Sequence, residues 1–155
     1  MTGIRKRLAA ADVALPAAPA PVGAYVAASR SGSLVFTSGQ LPMKDGALIA
    51  TGLVGEDVTL EIAIDCARQC ALNALAAAAT VCDLDDVVRV VKLVGYVASA
   101  QGFIQQPAVV NGASELLVLA LGDAGRHARE AVGVAQLPLG VPVEVSLVLE
   151  VLPRS

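Results

Sequence analysis

The chain has 155 residues, enough for one domain with its own hydrophobic core. Hydrophobic residues make up 55% of it and the mean hydropathy is +0.68, which is high for so short a chain, so we expect apolar surface for contacts between subunits. The net charge of −3 and the aromatic content of 3% weigh against a phosphate-neutralising surface or a base-stacking platform, and so against nucleic acid as the main partner.

The N-terminal segment is expected to be an addition to the main domain. Within residues 1–20, Ile4–Ala11 has the pattern of a short amphipathic helix that packs on the outside. A Pro/Ala linker, Pro16–Pro21, then carries the chain to the first strand. Residues 21–155 are predicted to form a single domain.

Several features predict a cytoplasmic protein without a membrane span. The basic residues near the start are followed by Asp12 before any adequate apolar run, which argues against an export signal. The longest uncharged run, Val13–Ser29, contains three prolines, and no other run reaches the ~18 apolar residues of a membrane helix. Cys66, Cys70 and Cys82 lack the spacing of a disulfide framework or a zinc site, so we expect small core residues in a reducing compartment.

A hairpin is predicted at the start of the main domain. Tyr25–Ala28 and Leu34–Ser38 are short β-rich runs joined by Ser29–Ser33. Gly39 directly follows the second run. A glycine there lets the backbone approach a ligand closely and offers an N–H to an anionic oxygen, although a simple turn would have the same sequence.

A long helix laid on a sheet is predicted after a glycine-rich segment. Met43–Gly55 is expected to be a loop or a second hairpin. The residues Val58–Val81 then have helical periodicity, with small and apolar residues filling most positions. The positions predicted to form its polar stripe are Glu61, Asp65, Arg68, Gln69 and Asn73.

The next two elements are predicted to be a central strand and a second helix. After a turn at Asp83–Asp86, Val87–Val97 is rich in β-branched residues and is expected to be covered on both sides. Phe103–Leu121 has the pattern of a helix entered through Pro107, with glycines in Gly122–Gly125 suited to its C-cap. The order β-β-α-β-α-β predicts a mixed sheet with two helices on one face.

The last segment, Ala128–Val151, pairs a cation with a carboxylate. Arg129 opens an apolar β-like run, where its planar guanidinium could hold a carboxylate through two N–H donors. Apolar and polar residues alternate from Val143 to Val151, which puts Glu144 on the polar face of a half-buried strand. Whether the two lie together depends on hairpin register, because a slip of one residue reverses the face. On residue types alone, a structural ion pair or exposure to solvent is the simpler interpretation.

His127 is the only histidine in the sequence and lies two residues before Arg129. A lone histidine cannot build a His-rich metal site. We expect it on the surface or in a loop rather than in a catalytic role.

Four blocks of the sequence form an ordered pattern. They are Gly23–Tyr25; Leu34–Pro42; Asp83–Val90 with Val110-Asn111; and Arg129 followed by Leu137–Gly140 and Val143–Val145. The pattern resembles the reactive intermediate deaminase family (RidA, also called YjgF) over roughly residues 21–152. The resemblance implies an α/β (α+β) chorismate-mutase-like fold and a homotrimer with a ligand site in each cleft between subunits.

The resemblance also implies an activity, the hydrolysis of small 2-imino acids and enamines such as 2-aminoacrylate to 2-keto acids and ammonium. Arg129 would bind the substrate carboxylate and Glu144 would orient or deprotonate a water molecule. Further residues expected at the site are Tyr25, Ser38, Gly39, Asn111 and Ala131. No metal or organic cofactor is implied, because an imine carbon is already electrophilic.

The sequence departs from the family pattern in ways that leave the substrate open. Ala131 stands where many members carry a cysteine or another side chain able to hydrogen-bond, and the region Gln106–Ser114 is longer than usual. Together with the N-terminal segment, these differences indicate a divergent branch. A non-catalytic binder or sensor of small carboxylates would use the same cleft. An endoribonuclease would need a basic groove, which the acidic balance disfavours.

Overall fold

The computed structural model describes residues 3–153. In chain order its helices and strands are α1 (Ile4–Ala10), β1 (Ala28–Ser31), β2 (Leu34–Thr37), β3 (Met43–Lys44), β4 (Ala47–Leu48), α2 (Leu60–Ala78), β5 (Val87–Ala98), α3 (Gln106–Leu121), β6 (Ala128–Val134) and β7 (Val143–Val151). The main sheet has the strand order β1-β2-β7-β5-β6, and β3 and β4 form a separate small hairpin. Since β5 and β6 are parallel and the other pairs antiparallel, the predicted mixed sheet is confirmed.

The two long helices cover one face of the sheet, as predicted. α2 packs on α3, and both contact the sheet. Along β7 every odd residue from Val143 to Val151 is buried beneath the helices, while every even residue is partly exposed. α1 packs against α3 through Ile4 and Leu8, so the predicted N-terminal helix is confirmed on the outside of the helical layer.

The predicted first strand was placed three residues too early. Residues 25–27 lie outside the sheet, and pairing begins at Ala28, opposite Thr37. Ser31 pairs with Leu34, so the loop has two residues rather than the expected five. Gly32 has φ +60°, the conformation that such short hairpin turns need, which explains why the chain turns there.

The helix boundaries differ by a few residues from the predicted ones. α2 begins at Leu60 because the side chain of Thr59 accepts a hydrogen bond from the backbone N–H of Ile62 and caps the helix. α3 begins at Gln106, so Pro107 stands in its first turn, where no N–H is needed. Its end at Gly122, with φ +65°, confirms the predicted glycine C-cap.

Two predictions about exposure were wrong. Gln69 and Asn73 do not belong to a solvated stripe of α2, because they are 9% and 1% exposed and bond to each other. The strand β5 is covered on one face only in a single chain. On its other face Val94 and Tyr96 are partly exposed.

The helix α3 and the short turn after it, Gln106–Gly125, are long and apolar enough to cross a membrane. In this fold the helix belongs to the core. Val109, Val110, Leu116 and Leu117 are completely buried against the rest of the domain.

Candidate functional site

The strands that carry Arg129 and Glu144 are not neighbours, so the expected hairpin between them was wrong. β5 lies between β6 and β7, with Leu93 opposite Arg129 on one side and Tyr96 opposite Glu144 on the other. The two residues are therefore separated by one strand across the sheet and by three residues along it. At ordinary strand spacing their backbones are roughly 14 Å apart.

Arg129 and Glu144 also lie on opposite faces of the sheet. Directly paired residues on adjacent strands share a face. Arg129 pairs with Leu93, which in turn pairs with Leu147, and both leucines are buried beneath the helices. Glu144 pairs with Tyr96 on the open face. No salt bridge joins the two residues in the described part of the chain, so the structure does not support the ion pair that residue types favoured.

The guanidinium of Arg129 is held against α3 by uncharged acceptors. Its Nη1 donates to Oδ1 of Asn111 at 2.7 Å and to Oγ of Ser114 at 3.2 Å. Its Nη2 donates to the carbonyl oxygen of Pro107 at 3.4 Å. Asn111, which was expected near the ligand, thus contacts Arg129. Ala131 lies two residues further along β6, on the same face.

These bonds leave a specific edge of the guanidinium open. An arginine side chain carries five N–H bonds, and the three acceptors take two from Nη1 and one from Nη2. The N–H of Nε and the second N–H of Nη2 remain. These two nitrogens form the edge that binds a carboxylate through two parallel hydrogen bonds. Between residues 3 and 153 no carboxylate pairs with Arg129, so its charge is not neutralised.

Three residues around Arg129 were not predicted as site residues: Pro107, Ser114 and His127. His127 was expected in a surface or loop role, but it is half-buried and its Nε2 lies 3.0 Å from Oγ of Ser114. Burial lowers its pKa, the carbonyl of Gly125 opposes that shift, and the charge of Arg129 adds to it. Two features of the sequence could have revealed these residues. Ser114 is one helical turn from Asn111, and His127 is two residues from Arg129, the repeat of a strand. Pro107, Asn111, Ser114, His127 and Arg129 form what we call the arginine cluster.

A second group of predicted residues surrounds Glu144. The turn after β2 is bonded to β7, because Gln40 and Val145 exchange both of their backbone hydrogen bonds. This brings Gly39 against the carboxyl group of Glu144, where a Cβ atom at residue 39 would overlap it. In the described residues the Gly39 N–H has no acceptor, as expected for a donor that is available to a ligand. We call Ser38, Gly39, Gln40 and Glu144 the glutamate cluster.

Glu144 is half-buried without a donor that would stabilise its charge. No hydrogen bond or salt bridge reaches its carboxylate from residues 3–153. Burial therefore raises its pKa above the usual 4.5. A carboxylate with a raised pKa accepts a proton more readily, which suits a general base.

Ser38 links Tyr25 to the glutamate cluster through the backbone. Its hydroxyl donates to the carbonyl of Val26 at 2.6 Å, and its N–H donates to the carbonyl of Ala27. The segment that carries Tyr25 is thus attached to the turn beside Gly39. The Tyr25 side chain is 52% exposed, which leaves its hydroxyl free to meet a ligand or another chain.

Buried side-chain amides of α2 hold the turn after β2 from the helical side of the sheet. Asn73 donates to the carbonyl oxygens of Leu41 and Met43, at 2.9 Å each, and accepts from Gln69 at 3.0 Å. These bonds hold the segment after Gln40 on the helix. The helix α2 thus positions the glutamate cluster.

Two of the three cysteines are placed as predicted for core residues, and Cys82 is only partly buried. Cys66 and Cys70 are completely buried. Burial, reinforced by Asp65, raises the pKa of Cys66 to about 11. Burial also raises the pKa of Cys70, which donates to the carbonyl of Val143. Both thiols stay protonated at neutral pH and are poor nucleophiles.

Comparison with known proteins places this arrangement in a family. Residues 5–151 match the family model described as "YjgF/chorismate mutase-like, putative endoribonuclease". Protein TCP17 of Trypanosoma cruzi is 46% identical over 140 residues, which cover 89% of this chain and 88% of that protein. The crystal structure of Atu1372 from Agrobacterium tumefaciens, a protein of unknown function, is 45% identical with a TM-score of 0.87, and the match covers 96% of this chain and 92% of that one.

A more distant structure in the same comparison contains a small molecule. TdcF of Escherichia coli, crystallised with bound serine, is 27% identical with a TM-score of 0.63, and the match covers 89% of this chain and 94% of that one. The family model spans nearly the whole chain, and the mixed sheet covered by two helices agrees with it. The chain therefore belongs to the YjgF/chorismate-mutase-like family.

Proposed function

We propose that the protein hydrolyses small 2-imino acids, and the enamines in equilibrium with them, to 2-keto acids and ammonium. The observation that carries the proposal is the half-buried guanidinium of Arg129. Within residues 3–153 this guanidinium is held only by uncharged groups. Such a cation, with two adjacent N–H donors open, is suited to binding the carboxylate of a small acid.

The two open N–H donors of Arg129, which we call the clamp, explain why a 2-imino acid would fit. Two parallel hydrogen bonds from Nε and Nη2 fix both the position and the plane of the carboxylate. The imine carbon is bonded directly to that carboxylate, so it is fixed as well. Holding the reacting carbon in one place removes much of the entropic barrier to attack by water.

The glutamate cluster supplies the groups for water attack. Glu144 would take a proton from water as the water oxygen bonds to the imine carbon and the C=N π electrons move to nitrogen. The proton then passes to that nitrogen and gives a carbinolamine. The hydroxyl proton of the carbinolamine is transferred to the nitrogen as the C–N bond breaks and the carbonyl of the 2-keto acid forms, and the released ammonia takes a proton from water to become ammonium. The free N–H of Gly39 is a suitable donor to the oxygen that bears developing charge.

Both clusters act on one substrate only if two subunits contribute to each site. A three- or four-carbon acid is shorter than the roughly 14 Å between Arg129 and Glu144 in one chain, and the sheet lies between them. We therefore propose a homotrimer in which the open face of one sheet meets the β6 edge of the next subunit. The partly exposed apolar residues of that open face support this assembly; they are Phe36, Val94, Tyr96, Val132 and Val148.

The proposal is tested by generating imines in situ with an amino-acid oxidase or dehydratase and measuring keto-acid release. Arg129→Ala and Arg129→Lys should each lower kcat/KM about 100-fold or more, because a lysine cannot form the two parallel bonds. Arg126→Ala is the matched control. Arg126 is three residues away and its side chain is 77% exposed, so its removal should leave activity unchanged. Deamination that survives both Arg129 changes would exclude the assigned role.

A second function, the binding of small carboxylates without catalysis, is favoured by the serine bound to TdcF. It uses the same clamp but requires no proton transfer. A keto acid such as 2-oxobutanoate should then raise the melting temperature of the wild type. The two functions differ at Glu144. Glu144→Gln abolishes imine turnover if the protein is an enzyme, and it leaves keto-acid binding nearly intact in either case.

A further inference from the structure

A line of hydrogen bonds runs from the guanidinium of Arg129 into the domain. Nη1 of Arg129 bonds to Oγ of Ser114 at 3.2 Å, and Oγ of Ser114 lies 3.0 Å from Nε2 of His127. The other ring nitrogen, Nδ1, lies 2.6 Å from the carbonyl oxygen of Gly125. Ser114 and His127 are both partly buried.

The direction of each hydrogen bond follows from the groups at the two ends. A carbonyl oxygen only accepts, so Nδ1 of His127 carries a proton and donates to Gly125. In a neutral imidazole Nε2 is then an acceptor, and the hydroxyl of Ser114 donates to it. The Ser114 oxygen is left with lone pairs for Nη1 of Arg129, which can only donate. Every group in the line has a partner of the opposite kind.

This line determines which edge of Arg129 is offered to a ligand. Without Ser114, Nη1 would keep only the bond to Asn111, a residue exposed on α3. A guanidinium on a long flexible side chain could then rotate. With Ser114 fixed by His127, both N–H groups of Nη1 are occupied, and the donors left without an acceptor belong to Nε and Nη2.

We propose, on the basis of the function proposed above, that Ser114 and His127 are positioning residues for the carboxylate-binding edge of Arg129. Neither touches the substrate. Their role is to hold the guanidinium in one orientation with uncharged groups, so that its charge stays available to the ligand.

The test uses binding as well as turnover. Titration calorimetry with 2-oxobutanoate should show affinity about tenfold weaker in Ser114→Ala and in His127→Leu, as expected when a bond to a charged group is lost. The double variant should be no weaker than the weaker single variant, because both changes break the same line. Losses that add, or singles with unchanged affinity, would overturn the proposal.

A conservative variant and a spectroscopic signature separate positioning from a general effect on folding. His127→Gln keeps an acceptor for the Ser114 hydroxyl and should bind within about twofold of the wild type. Because the sequence has one histidine, its ring ¹⁵N signals need no assignment variants. They should show a neutral ring protonated on Nδ1, with the Nε2 signal shifted in Ser114→Ala. A ring protonated on Nε2 alone would contradict the proposal.

The same measurements separate this proposal from the proposed hydrolysis. If the variants weaken 2-oxobutanoate binding as described while no imine is turned over, the positioning role holds and the hydrolytic function fails. If the wild type hydrolyses imines and Ser114→Ala, His127→Leu and the double variant all keep the wild-type KM and keto-acid affinity, the positioning role fails and the hydrolytic function holds.

Discussion

At the scale of single residues, the two charged groups of the candidate site are kept in environments that do not neutralise them. Within the described residues, Arg129 is bonded to uncharged oxygens and Glu144 has no donor at all. The ion pairs that the chain does form lie elsewhere, for example between Arg89 and Glu150. Groups held in this way cost stability and are typical of functional sites.

Replacement of Glu144 by glutamine is expected to stabilise the fold at neutral pH. The pKa of Glu144 is raised in the folded state, so its contribution to stability is full below the unfolded value of 4.5 and is lost as pH rises through the folded-state pKa. Denaturant unfolding at equal protein concentration should therefore show Glu144→Gln more stable than the wild type at pH 7. The difference should disappear below pH 4.5.

Glu150→Gln is the control for this prediction. Glu150 lies on the same strand and face but forms an ion pair with Arg89, so its replacement should be neutral or cost up to about 1 kcal/mol at pH 7. A Glu144→Gln protein that is less stable than the wild type at pH 7 would show that burial does not penalise this carboxylate.

At the scale of elements, the site depends on what holds each segment in place. The β6 strand brings Arg129 to α3, and the exchange of hydrogen bonds between Gln40 and Val145 brings Gly39 to Glu144. The helix α2 supports that second contact through Asn73, which donates to two backbone carbonyls of the turn. A helix without reacting groups can therefore still determine the geometry of the site.

Removal of the Asn73 side chain is expected to be costly. Asn73→Ala leaves the carbonyl of Met43 without the Asn73 donor, the carbonyl of Leu41 with the Met43 N–H alone, and Gln69 without its acceptor. The free energy of unfolding should fall by about 1–3 kcal/mol, the usual cost of unsatisfied buried polar groups. Asp65→Ala, an exposed change on the same helix, should cost about 0.5 kcal/mol or less. Equal stability of the two variants would contradict the supporting role of Asn73.

At the scale of the whole molecule, a single chain leaves one face of its sheet without a covering layer. The helices bury one face, and on the other Phe36 and Val132 are each more than 40% exposed. Apolar surface of this kind is typical of an interface between subunits. The positions of the two clusters on opposite faces lead to the same expectation, because one small ligand meets both only across such an interface.

The assembly is tested by mass and by one charge on the open face. Analytical ultracentrifugation of the wild type should give three times the chain mass of 15.6 kDa. Val132→Asp should dissociate the protein and abolish turnover, since a charge on the open face opposes its burial. Ile62→Asp is the matched control, because Ile62 on α2 is 42% exposed and Val132 is 41% exposed. A wild type that sediments as a single chain would exclude a site between subunits.

The sequence by itself determined the features that depend on local periodicity. The alternation in Val143–Val151 predicted which residues of β7 are buried, and the apolar spacing predicted both long helices within three residues at each end. The ordered motifs predicted the family, and the family model that matches residues 5–151 confirms it. Such patterns can be recognised because each residue's place in a strand or helix depends mainly on its near neighbours in the chain.

Only the tertiary structure decided how these elements combine. The insertion of β5 between β6 and β7, the opposite faces of Arg129 and Glu144, and the burial of Gln69 and Asn73 all depend on contacts between distant segments. The line from Arg129 through Ser114 to His127 likewise joins a helix to the segment that opens β6. Strand order and side-chain partners across elements are set by packing of the whole core, and no local pattern encodes them.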